Sequence, residues 1–242
     1  MTTFREFLQE SVNDKGAFKA IFVLGIPGAG KSYTIKHLSG QVQPRIVNTD
    51  KAAEYLSARV GKAITSGTWG EFKDDSIRIT KASLSNYING VLPLFIDGTS
   101  NDASNLLHRM GILESLGYDV GIVHIKTSLQ TAIKRANVRA EKIGRHVDKG
   151  FIRDVYSRND KNMRFLKTKV SFFRQINNED MQLDDETLLE AFRKTQGFFL
   201  SPVENPIGQR LMQKMKDEKQ SYLSPNIVPK EVLDRKIEGW YK

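Results

Sequence analysis

Cysteine is absent from the 242 residues of this chain, and its absence excludes several kinds of chemistry. Disulfide bonds, catalytic thiolates and zinc sites built from cysteine cannot occur. The four histidines do not have the spacing of metal ligands, and His124 lies in a strand pattern that favours a buried structural role. The chemistry of this chain must therefore come from carboxylates, hydroxyls, basic side chains and the backbone.

Long apolar runs are also missing from the sequence. No stretch reaches the roughly 20 apolar residues that a membrane-spanning helix needs, and the first residues do not follow the pattern of a secretory signal. A chain without cysteine suits a reducing compartment. We therefore expect a cytoplasmic protein that has no membrane partner.

Acidic residues are too few to balance the basic ones. The chain has 37 Lys and Arg against 28 Asp and Glu, which gives a formal net charge of +9. A basic balance favours polyanionic partners such as nucleic acid, nucleotides or phosphorylated substrates. A generally solvated basic surface would have the same net charge, so the charge by itself leaves both interpretations open.

The stretch with the most specific chemical meaning is residues 25–32, Gly-Ile-Pro-Gly-Ala-Gly-Lys-Ser. It fits G-x-x-x-x-G-K-[ST], a phosphate-binding loop, or P-loop. The glycines let successive backbone N–H groups point at phosphate oxygens, Lys31 can reach the β- and γ-phosphates, and Ser32 can ligate Mg²⁺. The predicted nucleotide-binding residues here are Gly25, Pro27, Gly28, Ala29, Gly30, Lys31, Ser32 and Tyr33.

The residues on both sides of this loop have the pattern that the motif requires. Residues 18–24 read as a short buried strand, and residues 31–38 read as a helix whose positive end would face the phosphates. Strand and helix patterns then alternate to about residue 194. This alternation predicts a three-layer α/β P-loop fold, in which a parallel sheet of about five strands is flanked by helices and followed by a helical tail.

Two carboxylates follow predicted strands. Asp50 comes after the strand at residues 45–48, and Asp97 comes at the end of the apolar run that begins at residue 92. Because ligands bind at the carboxyl ends of parallel strands, both carboxylates are expected to meet a substrate. Asp50 is a candidate catalytic base, a role compatible with capping the next helix. Asp97 resembles a carboxylate that orders Mg²⁺, and Thr99 would face the same crevice.

A glycine-punctuated segment separates these two strands. Residues 59–75 are predicted to be irregular, and a helix is predicted for residues 76–89. Trp69 and Phe72 could stack on a base or sugar. The favoured interpretation is that these two rings anchor the segment to the protein body.

Three arginines are spaced so that they could act together on a phosphate. Arg135 and Arg139 share one face of a helix predicted for residues 128–142, where two cations repel each other unless an anion lies between them. Arg145 follows in the next turn. A lid of this kind would neutralise charge on a transferring phosphoryl group. A solvated basic helix is the alternative, which the phosphate-binding loop makes less favourable.

Two further features lie beyond these arginines. A helix predicted for residues 148–167 has a basic side that could track a nucleic-acid backbone or simply face solvent. Its basic residues are Lys149, Arg153, Lys161, Arg164 and Lys167. The fifth predicted strand, residues 170–176, is followed by Asn177 and Asn178, whose amides could meet the edge of adenine.

The tail changes in character near Gly197. Prolines divide it into two short helices, which open near Pro206 and Pro229 and carry apolar stripes that would pack on the protein's own body. We therefore divide the chain into three parts. These are an N-terminal helix and linker (residues 1–16), a P-loop domain (residues 17–195) and a C-terminal helical extension (residues 196–242).

Together these motifs resemble the P-loop kinases that phosphorylate small molecules or nucleic-acid ends. The zeta-toxin-like kinases and the 5′-kinase domain of phage polynucleotide kinase are the most similar groups. The segment ending at Asp50 resembles the second-strand aspartate of both, which implies that Asp50 accepts the proton of a substrate hydroxyl. Residues 95–99 resemble the Ile-Glu-Gly-Thr segment of zeta toxins, which implies substrate contacts for Asp97 and Thr99.

The arginines also resemble the lid of the zeta-toxin-like kinases. There, two arginines precede a Gly-Gly-His-Val-Pro turn and a long helix, whereas here Arg145 replaces a glycine and no proline follows Val147. The resemblance implies catalytic lid roles for Arg139 and Arg145, a substrate role for Arg135, and an adenine contact for Asn178. It covers about residues 18–195 and implies ATP and Mg²⁺ as cofactors.

Residues 4–11 have a separate resemblance, to the N-terminal targeting peptides of internal head proteins of large tailed phages. Those peptides are trimmed after a Leu-x-Glu, which here would be residues 8–10. An ordinary N-terminal helix is the alternative. The motif raises the hypothesis of a phage structural protein, in the host cytoplasm or the virion, that binds nucleotide without turnover and contacts virion proteins through its terminal helices.

The leading hypothesis is an ATP-dependent kinase that transfers the γ-phosphate to a hydroxyl group. The acceptor would be a small molecule, a nucleotide sugar or a polynucleotide 5′ end. Net charge and the basic helix favour the polynucleotide, whereas the Gly-Thr pair after Asp97 favours a small molecule. The sequence leaves these acceptors open.

Overall fold

A computed structural model describes residues 15–65, 67–143, 145–179, 185–217 and 228–241. Its sheet contains five strands, β1 (Lys19–Leu24), β2 (Arg45–Val47), β3 (Leu94–Gly98), β4 (Asp119–Lys126) and β5 (Phe172–Asn177). The strands are parallel and lie in the order β2-β3-β1-β4-β5. This arrangement confirms the predicted parallel sheet. The N-terminal helix and the phage-like segment predicted from the sequence lie outside the described residues.

Helices connect the strands and continue the chain beyond them. In chain order they are α1 (Lys31–Leu38), α2 (Thr49–Val60), α3 (Trp69–Asn89), α4 (Ala103–Glu114), α5 (Leu129–Ile143), α6 (Lys149–Lys167), α7 (Asp185–Leu200), α8 (Pro206–Asp217) and α9 (Lys230–Glu238). A short 3₁₀ turn, Gly239–Tyr241, follows α9. No helix in the described ranges combines the length and apolar character needed to cross a bilayer.

The sheet has an apolar core on each face because helices cover both sides. Along the fully buried central strand β1, Phe22 and Leu24 belong to one core and Ile21 and Val23 to the other, as the alternation of side chains along a strand requires. Helices α3, α4 and α9 contribute to the first core, and α1, α5 and α7 contribute to the second. The predicted three-layer α/β fold is confirmed.

Helix α3 is longer than the sequence pattern indicated. It begins at Trp69 rather than near residue 76, so the prediction that residues 59–75 are irregular was wrong for their last part. The reason is tertiary packing. Phe72 is buried against Ala53 and Ile64, and it extends the buried face of the helix by one turn.

Helix α7 likewise extends past its predicted end near residue 194, to Leu200. Its last turn is held by aromatic packing, since Phe199 is buried and meets Phe95 of β3 edge to face at 5.3 Å between ring centroids. The proposed boundary between residues 195 and 196 therefore falls inside a continuous helix.

The C-terminal helix packs on the protein's own body, as the sequence predicted. Leu233 and Ile237 of α9 and the following Trp240 are buried in the first core. The Trp240 ring lies 6.2 Å from the ring of Phe22 at an interplanar angle of 21°. A residue near the chain's end therefore contacts the central strand that leads into the phosphate-binding loop.

Candidate active site

The phosphate-binding loop joins β1 to α1, as the motif requires. Gly28 and Gly30 have φ angles of 85° and 93°, in the left-handed region that favours glycine. A Cβ atom on Gly28 would lie 2.2 Å from the carbonyl oxygen of Ala132, and one on Gly30 would lie 2.2 Å from Nδ2 of Asn178. Both glycines are therefore needed for the shape of the loop and for its close contact with neighbouring segments.

Asn178 braces this loop from behind. Its backbone N–H donates to the carbonyl of Lys126 at 2.7 Å, and its side-chain Nδ2 donates to the carbonyl of Ala29 at 2.7 Å. Asn178 is only 4 % exposed, so its side chain is buried against the loop that it holds. The adenine contact predicted for Asn178 stays a prediction, and the structure adds a role in holding the loop.

Arg135 completes this brace. Its guanidinium donates to the backbone carbonyls of Asn178 at 2.9 Å and Glu179 at 3.2 Å. Arg135 also lines the cleft. Because Arg135 lies next to the phosphate-binding loop, its position favours the nucleotide side of the cleft. The substrate contact predicted for Arg135 stays a prediction.

Lys31 opens helix α1 with its ammonium group turned into the loop. Nζ donates to the carbonyls of Gly25 at 3.1 Å and Ile26 at 3.3 Å. Burial lowers the pKa of Lys31, while Asp97 and Asp50 across the cleft oppose that change. The next two residues, Ser32 and Tyr33, are exposed, so their hydroxyl groups are accessible.

Asn48 links the two candidate carboxylates. Its side chain caps α2 by accepting a hydrogen bond from the backbone N–H of Lys51 at 3.2 Å. Its Nδ2 donates to Oδ2 of Asp97 at 2.6 Å. The capping role considered for Asp50 is therefore wrong, because Asn48 is the cap and Asp50 lies in the first turn. Sequence reasoning missed Asn48, although Asn is a preferred capping residue.

Asp97 ends β3 beside Lys31. Burial raises the pKa of Asp97, Lys31 opposes that change, and Asp50 adds to it. Thr99 follows and lines the cleft, as predicted. The carboxylate therefore lies where strand ends and the phosphate-binding loop meet.

A buried polar network holds the turn after Asp97. Ser100 Oγ donates to Oδ1 of Asn159, and Asn162 Nδ2 donates to the carbonyl of Ser100 at 2.7 Å. His124 is 1 % exposed, and its ring is hydrogen-bonded to Asn159 and Gln175. His124 is thus a buried structural residue, as the sequence predicted. Asn159 and Asn162 belong to α6, so this helix holds the turn that follows Asp97.

Arg145 reaches across the cleft to α2. Its guanidinium forms ion pairs with Asp50 and Glu54, the latter at 2.5 Å. Burial alone would lower the pKa of Arg145, but the two carboxylates together raise it. Glu54 lies one helical turn after Asp50, and that four-residue spacing could have revealed it in the sequence.

Arg139 differs from Arg145 in having a buried guanidinium nitrogen, Nε, without a hydrogen-bond partner among the described residues. Burial and the charge of Arg145 both lower the pKa of Arg139. An unpartnered buried donor of a guanidinium, next to the phosphate-binding loop, is suited to an anion.

One cleft of about 730 Å³ brings most of these groups together. The predicted residues that line it are Pro27, Gly28, Gly30, Lys31, Ser32, Tyr33, Asp50, Asp97, Thr99, Arg135, Arg139 and Arg145. Gly25 and Ala29 belong to the loop but do not line the cleft, and Asn178 supports the loop from behind. The sequence did not predict the lining residues Asn48, Ile64, Thr65, His146, Val147, Asp148 and Phe151.

Three apolar side chains, Ile64, Trp69 and Phe151, also line the cleft. The backbone N–H of His146 donates to the carbonyl of Ile64 at 3.1 Å. This bond ties the turn that carries Arg145 to the segment before α3. Trp69 also packs against the small cluster around Phe72, so its anchoring role is confirmed while its ring still faces the cleft.

Comparison with protein families decides which group of P-loop proteins this is. The zeta toxin family model matches residues 6–187, which is most of the chain. The chain belongs to the zeta toxin family. No curated protein matches it in sequence.

Solved structures resemble this zeta toxin family member in fold. A proposed kinase from Chloroflexus aurantiacus has a TM-score of 0.54 at 12% identity, covering 74% of this chain and 98% of that chain. The PezAT toxin–antitoxin structure from Streptococcus pneumoniae has a TM-score of 0.49 at 17% identity, covering 81% of this chain and 96% of that chain. The Pnkp1/Rnl/Hen1 RNA repair complex has a TM-score of 0.48 at 19% identity, covering 66% of this chain and 49% of that chain. Of these three, only the first has a TM-score above 0.5, and at 12% identity it supports the fold alone.

The residues of this zeta toxin family member fit the nucleotide and cation that a P-loop kinase fold implies. The loop has the left-handed glycines that the phosphate-binding motif requires, and the buried donor of Arg139 suits a phosphate oxygen. Mg²⁺ in kinases is held by one or two protein oxygen ligands together with substrate phosphates. Ser32 and Asp97 supply such oxygens at the rim of the loop.

Proposed function

We propose that this protein is an ATP-dependent kinase that transfers the γ-phosphate to a hydroxyl group of an acceptor. The observation that carries the proposal is the presence of a phosphate-binding loop and the Asp50–Arg145 ion pair in one cleft. A protein that only binds nucleotide needs the loop, but it has no need for a carboxylate and two arginines opposite it.

On the donor side, the backbone N–H groups of the loop and the ammonium of Lys31 would hold the β- and γ-phosphates. Ser32 and Asp97 would hold Mg²⁺, which supplies positive charge to the phosphates when bound. Arg139 would donate to the γ-phosphoryl group, because its buried Nε has no other partner among the described residues. Catalysis on this side is mostly positioning and charge.

On the acceptor side, Asp50 would accept the proton of the acceptor hydroxyl as its oxygen attacks the γ-phosphorus. The bond from that phosphorus to the bridging oxygen of the β-phosphate breaks, and ADP leaves with the bridging oxygen. The Asp50 side chain is 48% exposed, so a hydroxyl can reach it. Arg145 would orient the Asp50 carboxylate through their ion pair.

The rest of the acceptor would lie against the apolar side chains that line the cleft. Ile64, Trp69 and Phe151 offer surface for an apolar or planar group. A small molecule, a nucleotide sugar and a polynucleotide 5′ end each fit this description. The alternative of a phage structural protein rests on residues 4–11, which lie outside the described residues, and it stays a prediction.

The direct test is phosphoryl transfer from ATP carrying a labelled γ-phosphate, with Mg²⁺, to a panel of hydroxyl acceptors. The panel includes sugars, nucleotide sugars and 5′-hydroxyl oligonucleotides. Asp50→Asn keeps the size of the side chain and removes the base, so we expect transfer to fall by a factor of about 10²–10⁴. Asp74→Asn is the matched control, since Asp74 is exposed on α3 and does not line the cleft.

Two results would count against the proposal. One is that no acceptor in the panel is labelled although ATP binds. The other is that Asp50→Asn transfers phosphate as fast as the Asp74→Asn control.

A further inference from the structure

Helix α6 has a strongly basic exposed surface. One side of the helix is buried through residues such as Ile152, Val155 and Leu166. The other sides carry six exposed cations, of which Arg158 is ion-paired with Asp154. The other five are Lys149, Arg153, Lys161, Arg164 and Lys167. Across the described residues, none of these five forms an ion pair with a carboxylate. Their charge is therefore available to an anionic partner.

Four of these cations form a row along the helix. At 100° per residue, Lys149, Arg153, Arg164 and Lys167 lie within an arc of about 60°, and at 1.5 Å per residue the row is about 27 Å long. Asp160 lies in the same arc, but its carboxylate faces Lys126 at 3.8 Å. The row is longer than a single nucleotide, so it suits an extended polyanion better than a small anion.

Exposed aromatic rings accompany the cations on this helix. Phe151, Tyr156 and Phe165 are 41%, 42% and 46% exposed, which is unusual for large apolar side chains on one helix. The ammonium of Lys169 lies 5.4 Å from the centroid of the Phe165 ring. At 100° per residue, Tyr156 lies within about 20° of the row of cations, whereas Phe151 and Phe165 lie at least about 100° from it. Tyr156 is therefore the exposed ring that borders the row, and a base of single-stranded nucleic acid can stack on such a ring.

The basic row begins at the cleft. Asp148 caps the first turn of α6 and lines the cleft together with Phe151, whereas Arg164 and Lys167 lie at the far end of the helix. A chain bound along α6 would therefore lead toward Asp50 and Arg145. The position of the row connects it with the acceptor side of the site.

We propose that the exposed surface of α6 binds the backbone of a single-stranded polynucleotide and delivers its terminal hydroxyl to the cleft. This inference rests on the proposed kinase function and names the acceptor as a polynucleotide. The four cations of the row contact phosphates along the strand, and the ring of Tyr156, at the edge of the row, stacks with a base. Such binding is independent of sequence and strongly weakened by salt.

The test is the binding of a fluorescent single-stranded 5′-hydroxyl oligonucleotide, followed by anisotropy at several salt concentrations without ATP. The triple variant Arg153→Gln/Arg164→Gln/Lys167→Gln removes three cations far from the catalytic groups. We expect its affinity at low salt to fall at least about tenfold, and the slope of log affinity against log salt to become shallower by about 2, or roughly 0.7 for each lost phosphate contact.

The matched control is Arg193→Gln/Lys194→Gln/Lys230→Gln, which removes three exposed cations from other helices. It is expected to retain the wild-type salt slope. Tyr156→Ala separates stacking from charge, since it is expected to weaken binding without changing the slope. Equal affinities for the α6 triple variant, the control and the wild type would overturn the inference, as would binding to anionic lipid vesicles in preference to the oligonucleotide.

Failure of this inference can be told apart from failure of the kinase proposal. If the oligonucleotide binds along α6 but no hydroxyl acceptor of any class is labelled, the polynucleotide surface stands and the kinase proposal fails. If a small acceptor is labelled while the oligonucleotide does not bind, the kinase proposal stands and the α6 inference is overturned.

Discussion

The side of the cleft that would bind ATP and the side that would bind the acceptor are built differently. The donor side is the phosphate-binding loop, residues 25–33, braced by Arg135 and Asn178. The acceptor side combines Asn48, Asp50 and Glu54 of one segment with Arg145, which is distant in sequence, and Asn48 also holds Asp97, which would serve both sides. The donor side relies on backbone geometry, whereas ion pairs and side-chain hydrogen bonds hold the acceptor side together.

This difference has a consequence for function. Backbone N–H groups in a glycine-rich loop can bind any nucleoside triphosphate, so changes on the donor side should affect every acceptor alike. Groups that come from several helices can be altered one at a time. Changes on the acceptor side should therefore affect one class of acceptor, or one kinetic parameter, more than others.

The largest expected effect comes from Lys31 on the donor side. Lys31→Ala removes the buried ammonium beside the loop carbonyls, so transition-state charge loses its closest cation. We expect kcat/KM to fall by a factor of about 10³ or more for every acceptor that the enzyme uses. Lys36→Ala, on the exposed side of the same helix, is the control. A loss confined to one acceptor would contradict the division between the two sides.

Arg139 lies at the border between the sides, and its loss should have the next largest effect. Arg139→Gln removes the guanidinium whose Nε is unpartnered in the described structure. We expect kcat to fall by a factor of about 10²–10³ with little change in the KM of the acceptor. Steady-state kinetics with the acceptor varied at saturating ATP gives both parameters, and a rise in acceptor KM alone would instead assign Arg139 to acceptor binding.

A smaller effect is expected from Tyr241, which supports the acceptor side from the C-terminal turn. Its hydroxyl is hydrogen-bonded to Oγ1 of Thr49 at 2.9 Å, next to Asp50. Tyr241→Phe removes this bond, so kcat/KM for the acceptor should fall about fivefold while ATP affinity is unchanged.

A double-mutant cycle isolates this hydrogen bond. Thr49→Val should reproduce the loss caused by Tyr241→Phe, and the double variant should lose no more than either single variant. Additive losses would show that the two hydroxyls act separately. A weaker affinity for ATP in Tyr241→Phe would show that the turn supports both sides.

The smallest effect concerns pH and stability through His124. Burial lowers the pKa of His124 below its ordinary value near 6.5, and hydrogen bonds from its ring to Gln175 and Asn159 and the charge of Asp160 partly oppose this. Between the lowered pKa and 6.5, the unfolded chain binds a proton that the folded chain does not. Stability should therefore fall as the pH falls below about 6.5.

Urea unfolding at several pH values between about 5 and 7.5 checks this expectation. His124→Gln cannot take up a proton, so its stability should depend less on pH across that range. The same pH dependence in wild type and variant would show that other groups account for it.

The donor side could be predicted from sequence because its geometry is local. Consecutive residues form the loop, and Gly28 and Gly30 have the backbone angles that the motif implies. The acceptor side could be predicted only in part. Asp50 and Asp97 were found because they follow strands, but Asn48, which joins them, depends on a contact between residues far apart in the chain.

The arginines show where sequence patterns stop being informative. The spacing of Arg135 and Arg139 predicted one shared role, yet Arg135 is hydrogen-bonded behind the loop while the Nε of Arg139 has no partner in the described structure. Their different surroundings come from β5 and α2, which the spacing does not reveal. The start of α3 at Trp69 was missed for the same reason, because the packing of Phe72 determines it.

ATP affinity provides the most direct test of the division between a donor and an acceptor side. Calorimetric titration of ATP with Mg²⁺ should give Asp50→Asn the same Kd as the wild type, while Lys31→Ala should bind at least about tenfold more weakly. The same Asp50→Asn preparation should have lost phosphoryl transfer. Weaker ATP binding by Asp50→Asn, or unchanged transfer by it, would contradict the account.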